Sequence, residues 1–234
     1  MRAILKRELS SYFNSAIAYI VMATFFGFSG LFFVSSCFIG NTSSLSPTFS
    51  NIFVIIVFLT PIIAMKTFSE EKRQRTDQAL LTSPASLAEI VIGKFLGAFI
   101  LYALCCLIFV VYGLIIAFFT APDWAVIFCT TLGLLLVGGA LISIDVFISS
   151  LTESQVIAAV VGMAVGLVTF MMGSFVQMVE IDWISAILSS IAFTNYYSTF
   201  TYGILDFTGI VFFLSVIALF LFFTVRVFER KRWS

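Results

Sequence analysis

The chain has 234 residues, 61% of them apolar and only 10% charged, with twelve Lys and Arg balanced by twelve Asp and Glu. A soluble domain carries roughly 25% charged residues, so this chain cannot cover a water-facing surface of its size and is expected to be solvated by lipid. It has no His, which removes the commonest general base, proton relay and metal ligand together.

The chain opens with an expected amphipathic helix over residues 1–13. Ile4, Leu5, Leu9, Tyr12 and Phe13 share one face, and Arg2, Lys6, Arg7 and Ser10 lie away from it. Such a helix rests in the headgroup plane with its cations near anionic lipid. A plain basic flank to the first span is the simpler reading of the same residues.

A bilayer core about 30 Å thick takes roughly 20 apolar residues in a helix. Six segments satisfy this: Ile17–Ile39, Pro47–Met65, Phe95–Phe119, Trp124–Ser150, Val156–Met178 and Phe207–Phe228. A span must pair its backbone internally, so all six are expected to be helical and the fold all-α. The first is too long for a signal peptide and lacks a small-residue cleavage site. Ser46 is expected to cap the second, with Pro47 at its first position. Thr60-Pro61 is expected to kink it.

Threading follows from Lys and Arg. Arg2, Lys6 and Arg7 precede the first span; Lys66, Lys72, Arg73, Arg75 and Lys94 lie between the second and third; Arg226, Arg230, Lys231 and Arg232 close the chain. Six crossings put all of these on one side, and the other side holds Asp123, Glu180, Asp182 and Asp206. The basic side is therefore expected to be cytoplasmic, with both termini. Trp183–Phe193 is apolar but too short to cross. Residues 179–206 are expected to form an external re-entrant helical segment, with Trp183, Tyr196, Tyr197 and Tyr202 at the interface.

The basic loop between the second and third spans is the most informative stretch. Glu70 and Glu71 are expected at a helix start, where the macrodipole favours anions. Pro84 is expected to end that helix. Ser86-Leu87-Ala88-Glu89 is a capping box opening the next one. A charged helix, a break and a re-entry helix make a docking surface for a cytoplasmic partner; a solvated face with lipid-contacting cations is the bland alternative.

Other residues carry weaker signals. Asp145 is an ionisable group inside the fourth span, a functional candidate by default, although it is near enough to the span's end to reach water or a basic partner. Ala158, Gly162 and Gly166 form a small-residue face on the fifth span, suited to close packing within one subunit or across a dimer axis. Gly93 and Gly97 are a weaker case at a helix end. Cys37, Cys105, Cys106 and Cys129 lie in apolar stretches without metal-ligand spacing and read as small fillers. No G-x-x-x-x-G-K-[ST] loop occurs, so ATP hydrolysis by that route is not expected on this chain.

Glu70-Glu71-Lys72-Arg73, Leu80-Leu81-Thr82-Ser83-Pro84 and Gly93-Lys94-Phe95 together resemble the ABC transporter type 2 permeases, most closely the gliding-motility-associated branch. The resemblance continues in residues 149–155 (SSLTESQ) and in Gly203-Ile204-Leu205-Asp206. It implies a non-catalytic permease that dimerises, with a second copy or a homologue, and recruits a separate cytoplasmic ATPase holding ATP and Mg²⁺. It implies a bacterial inner-membrane exporter with no cofactor of its own and no nucleic-acid partner. Glu70, Glu71, Lys72, Arg73, Arg75, Asp77, Leu80 and Leu81 would seat in the ATPase, and residues 66–94 would be the coupling loop. Spans one, two and five would line the substrate path. Two departures stand out: Arg75-Thr76-Asp77-Gln78 replaces the family's Gly-Thr-x-Glu, and Asp145 replaces a small residue. The competing readings are an ion-coupled secondary transporter using Asp145 and a non-transporting anchor that transmits ATPase motion to other envelope proteins.

Overall fold

The structure is a computed structural model and describes residues 2–40, 42, 44–75, 86–178 and 182–233. Among the described residues it is entirely helical. Eleven α-helices follow in order: α1 Arg2–Phe13, α2 Ala16–Phe33, α3 Ser46–Ala64, α4 Lys66–Arg73, α5 Leu87–Cys106, α6 Ile108–Ala117, α7 Trp124–Leu151, α8 Gln155–Met178, α9 Asp182–Ile191, α10 Phe193–Thr201 and α11 Phe207–Trp233. A π-helical stretch, Val34–Ile39, continues α2. Six helical units are long and apolar enough to cross a membrane, at the six places expected.

Several boundaries differ from expectation for local reasons. The Ser86 hydroxyl accepts the Glu89 amide and the Glu89 carboxylate accepts the Ser86 amide, so the third span starts at Leu87, before its apolar run begins. Ser46 is the first helical residue and Leu45 takes the cap position, so Ser46 is not the cap. Helix α3 continues through Pro61; the interruption comes at Met65, one turn later, where α4 begins. Glu70 and Glu71 accordingly lie in the second half of α4 and not at its start. Helix α4 ends at Arg73, and Arg75 sits at φ 56°, a left-handed conformation that stops the helix.

Helix α7 is the axle of the bundle and packs against α3, α4, α5, α6, α8, α10 and α11. Its glycines set the closest approaches. A Cβ at Gly138 would fall 2.2 Å from the Tyr102 ring of α5, and one at Gly133 would fall 2.8 Å from Phe200 of α10. Tyr102 donates its hydroxyl to the Leu134 carbonyl, at 2.7 Å. Helix α11 lies at the rim with little of its apolar length buried, whereas most of α7 is buried.

At the end opposite α1 and α4, helices α9 and α10 fold back as a pair against α8, and α10 also packs on α7. Trp183 and Tyr202 are exposed, as interface residues would be, whereas Tyr197 is buried. The Tyr197 hydroxyl donates to the Phe49 carbonyl at 3.0 Å, so this tyrosine ties α10 to the start of α3. The expectation that all four aromatics sit at an interface is corrected for it, since a buried phenol needs a partner and Tyr197 has one.

Candidate functional site

The sequence places its basic residues at one end of the bundle, and there the structure builds a connected charged girdle. Helix α1 lies across the start of α5. The contact is made by Gly93 and Gly97, where added Cβ atoms would sit 3.0 Å from Ile4 and 2.9 Å from Glu8. These two glycines let the backbones close, and the face of α1 that is buried there is Ile4, Glu8 and Tyr12. Glu8 joins this face, although the sequence predicts only Ile4, Leu5, Leu9, Tyr12 and Phe13 on it.

Lys94 explains it. Its side chain is 2% exposed, and its ammonium lies 3.0 Å from Glu8 Oε1, 2.9 Å from Glu71 Oε1 and 2.8 Å from the Thr67 carbonyl. An ammonium has three donors and no acceptor, and all three are used here. Arg7 extends the cluster outward, with Nη2 at 3.2 Å from both Glu8 and Glu71. The Lys94 ammonium also lies 5.2 Å over the Phe68 ring. Lys94 was expected as a flanking charge that marks orientation. It is instead the buried centre of a cluster joining α1, α4 and α5.

A second set of bonds ties α4 to the end of α7. The Ser149 hydroxyl accepts the Phe68 amide at 3.2 Å and the Ser69 amide at 3.1 Å, and donates to the Met65 carbonyl at 3.1 Å. Helix α4 begins with unpaired amides, and a side chain from another helix satisfies two of them. Lys72 donates to the Ser150 carbonyl and lies 5.9 Å over the Phe228 ring. Phe68 and Phe228 pack at 4.6 Å between ring centroids, which brings in α11. Tyr12 donates to the Ile63 carbonyl at 3.0 Å, and burial pushes its phenol pKa up, keeping it neutral.

The expected docking residues are therefore divided. Glu71 and Lys72 turn inward and hold the girdle. Arg73 and Arg75 are exposed, and Glu70 is half-buried. Asp77, Leu80, Leu81 and Pro84 lie outside the described residues. Between α1 and α4 runs a cleft of about 390 Å³ edged by Arg7, Ser11, Lys66, Glu70 and Gln74.

Asp145 and the small-residue face of α8 come together away from the girdle. Asp145 is 5% exposed, and among the described residues no Lys or Arg lies within ion-pairing distance. Helices α3 and α8 close over it. Added Cβ atoms would fall 2.5 Å from the Asp145 carboxylate at Gly162, and 2.9 Å from Val57 at Gly166. Ala158 is buried one turn earlier. Gly162 and Gly166 thus pack on α3 and α7 within the subunit.

Among the described residues, six helices long and apolar enough to cross a membrane, with charge gathered into a girdle at one end, define a multi-pass membrane protein. The family model of the ABC-2 family transporter proteins matches residues 40–227. The chain belongs to that family, and is the membrane-spanning part of an ABC transporter. No curated protein sequence matches it.

Proposed function

We propose that this chain is the permease subunit of an ATP-driven exporter, working as a dimer with a second copy or a homologous permease. A separate cytoplasmic ATPase, which holds the ATP and Mg²⁺, seats on α4 and the residues that follow it. The basic end faces the cytoplasm of a bacterial inner membrane, α1 lies at the headgroup level, and α9–α10 form the external segment. The gliding-motility branch of the family is the reading its loop residues favour.

One observation carries this. Helix α4 is short and charged, it is exposed at Arg73 and in the Gln74-Arg75 that follow it, and it is fastened to α1, α5, α7 and α11 while running directly out of α3. A push on its tip therefore reaches several spans together, as rigid-body switching requires. A loop that only reversed the chain would need no such fastening.

The test is purification from native membranes with an affinity tag. A bound ATPase is expected, and its activity in the complex is expected to fall when Arg73 and Arg75 are both replaced by Ser. The absence of any ATPase, or labelling of an Arg73→Cys chain from the periplasmic side, sinks the proposal. Transport of cargo by the reconstituted complex separates an exporter from a force-transmitting anchor.

A further inference from the structure

The girdle leaves part of the cleft between α1 and α4 unused. Three cations and three carboxylates line this space of about 390 Å³: Arg7, Lys66 and Lys94, and Glu8, Glu70 and Glu71. Lys94 and Arg7 are balanced by Glu8 and Glu71, which they contact directly. One charge of each sign remains. Lys66 and Glu70 stand four apart, on the same face of α4, yet neither forms an ion pair among the described residues.

Hydrogen-bonding groups lie beside both charges. A guanidinium has five N–H donors, and Arg7 uses only Nη2 on Glu8 and Glu71, with 56% of its side chain exposed. Ser11, one turn further along α1, is exposed at the edge of the same cleft. Gln74 donates Nε2 to Glu70 Oε1 at 3.3 Å, which leaves its own carbonyl oxygen to accept. The cleft therefore offers donors at Lys66, Arg7 and Ser11 and acceptors at Glu70 and Gln74. Its volume falls within the range of ligand sites, about 300–1,000 Å³.

We propose that this cleft binds the headgroup of a zwitterionic aminophospholipid, phosphatidylethanolamine, with its phosphodiester on Lys66, Arg7 and Ser11 and its ammonium on Glu70 and Gln74. The inference rests on the proposed placement of α1 at the headgroup level. Charged pockets at the cytoplasmic ends of spans are suited to lipid headgroups. One residual charge of each sign matches a zwitterion. A primary ammonium has three N–H donors for the carboxylate and the amide oxygen, whereas a choline headgroup has none. An anionic phosphatidylglycerol would satisfy Lys66 and leave Glu70 without a counter-charge. Lys66 is the first residue after the apolar run of α3, which puts it at the depth of lipid phosphates. Ser15 also edges the cleft, and Tyr19 and Ile20 are exposed about one turn further along the chain, giving acyl chains an apolar surface.

The position gives the lipid a consequence. The girdle joins α1 to α4 through Arg7 and Glu71, and the headgroup would join the same two helices through Ser11, Lys66 and Glu70. Lipid composition would then set how firmly α4 is held.

The test uses the full chain, delipidated in detergent and free of any ATPase. Thermal unfolding is followed as phosphatidylethanolamine, phosphatidylcholine or phosphatidylglycerol with the same acyl chains is added, and retained lipid is counted by native mass spectrometry. Phosphatidylethanolamine is expected to raise the midpoint by about 3 °C, and the other two by less than about 1 °C. Lys66→Gln weakens retention of phosphatidylethanolamine about tenfold, the effect of losing one charged hydrogen bond. Glu70→Gln erases its advantage over phosphatidylglycerol. Equal shifts with the three lipids, or a larger one with phosphatidylglycerol, overturn the site. So does a preference that survives in both variants, or an equal shift with soluble glycerophosphoethanolamine. An Asn14→Cys chain carrying a fluorophore, quenched by spin-labelled lipid in nanodiscs, reports the depth of α1 separately. Quenching at headgroup depth without a lipid preference removes the site alone; no quenching removes the placement of α1 as well.

Discussion

Replacing Lys94 with Met removes the centre of the girdle while roughly keeping its volume. The ammonium contacts Glu8, Glu71 and the Thr67 carbonyl at 3.0, 2.9 and 2.8 Å. Its loss leaves the Glu8 and Glu71 carboxylates facing each other with only the half-exposed Arg7 to offset them. Removing one partner from a buried ion pair costs about 3–5 kcal/mol. The Glu8 and Glu71 side chains remain 12% and 19% exposed, so water offsets part of this and the lower end, about 3 kcal/mol, is expected. The measurement is equilibrium unfolding in mixed micelles, followed by circular dichroism. The companion variant, Lys94→Met with Glu8→Gln and Glu71→Gln, removes the charges together and should recover most of the loss, since neutralising a whole buried cluster is often near neutral. A single variant within about 0.5 kcal/mol of the parent, or a triple variant no better than the single, refutes the reasoning; surface substitutions alone produce changes of that smaller size.

Ser149→Ala removes the acceptor for two α4 amides and should cost about 1–2 kcal/mol by the same assay; transport or ATPase stimulation should fall more than stability does. Arg75→Gly relieves a left-handed conformation and should hold or raise stability by up to about 1 kcal/mol, while lowering ATPase affinity in a pull-down if its charge docks the partner. Ser86→Ala breaks the capping box and should cost about 1 kcal/mol, read as faster exchange of the amides of residues 87–90. Gly133→Val drives a branched side chain into Phe200 and should cost about 1–3 kcal/mol, with protease sensitivity appearing in α9–α10 first.

The six spans, the helical class and the capping box were legible because each rests on local physics: apolar length, backbone pairing and a four-residue hydrogen-bond exchange. The girdle was not, because its bonds join residues far apart in the chain. Glu8 and Lys94 are separated by 86 positions, and nothing in either segment names the other. Glu8 on an otherwise apolar stripe, and Lys94 between Gly93 and Gly97 in an apolar run, were the available signals; each is a charge where the local pattern wants none. The α4 boundaries were misread for a related reason. The two glutamates suggested a helix start, but the amides at the real start are satisfied by Ser149 from another helix, so no local cap marks it. Tyr197 was assigned to an interface on residue type, and only the packing of α10 on α3 shows its partner.

The buried ammonium has a consequence for biogenesis. Glu8 and Glu71 both precede Lys94 in synthesis, so two acids wait at the same membrane face until the third span delivers their shared cation. A third span threaded the wrong way would carry Lys94 to the opposite face and leave both acids uncompensated. The cluster can close only in a chain that brings α1, α4 and the start of α5 to the same end of the bundle.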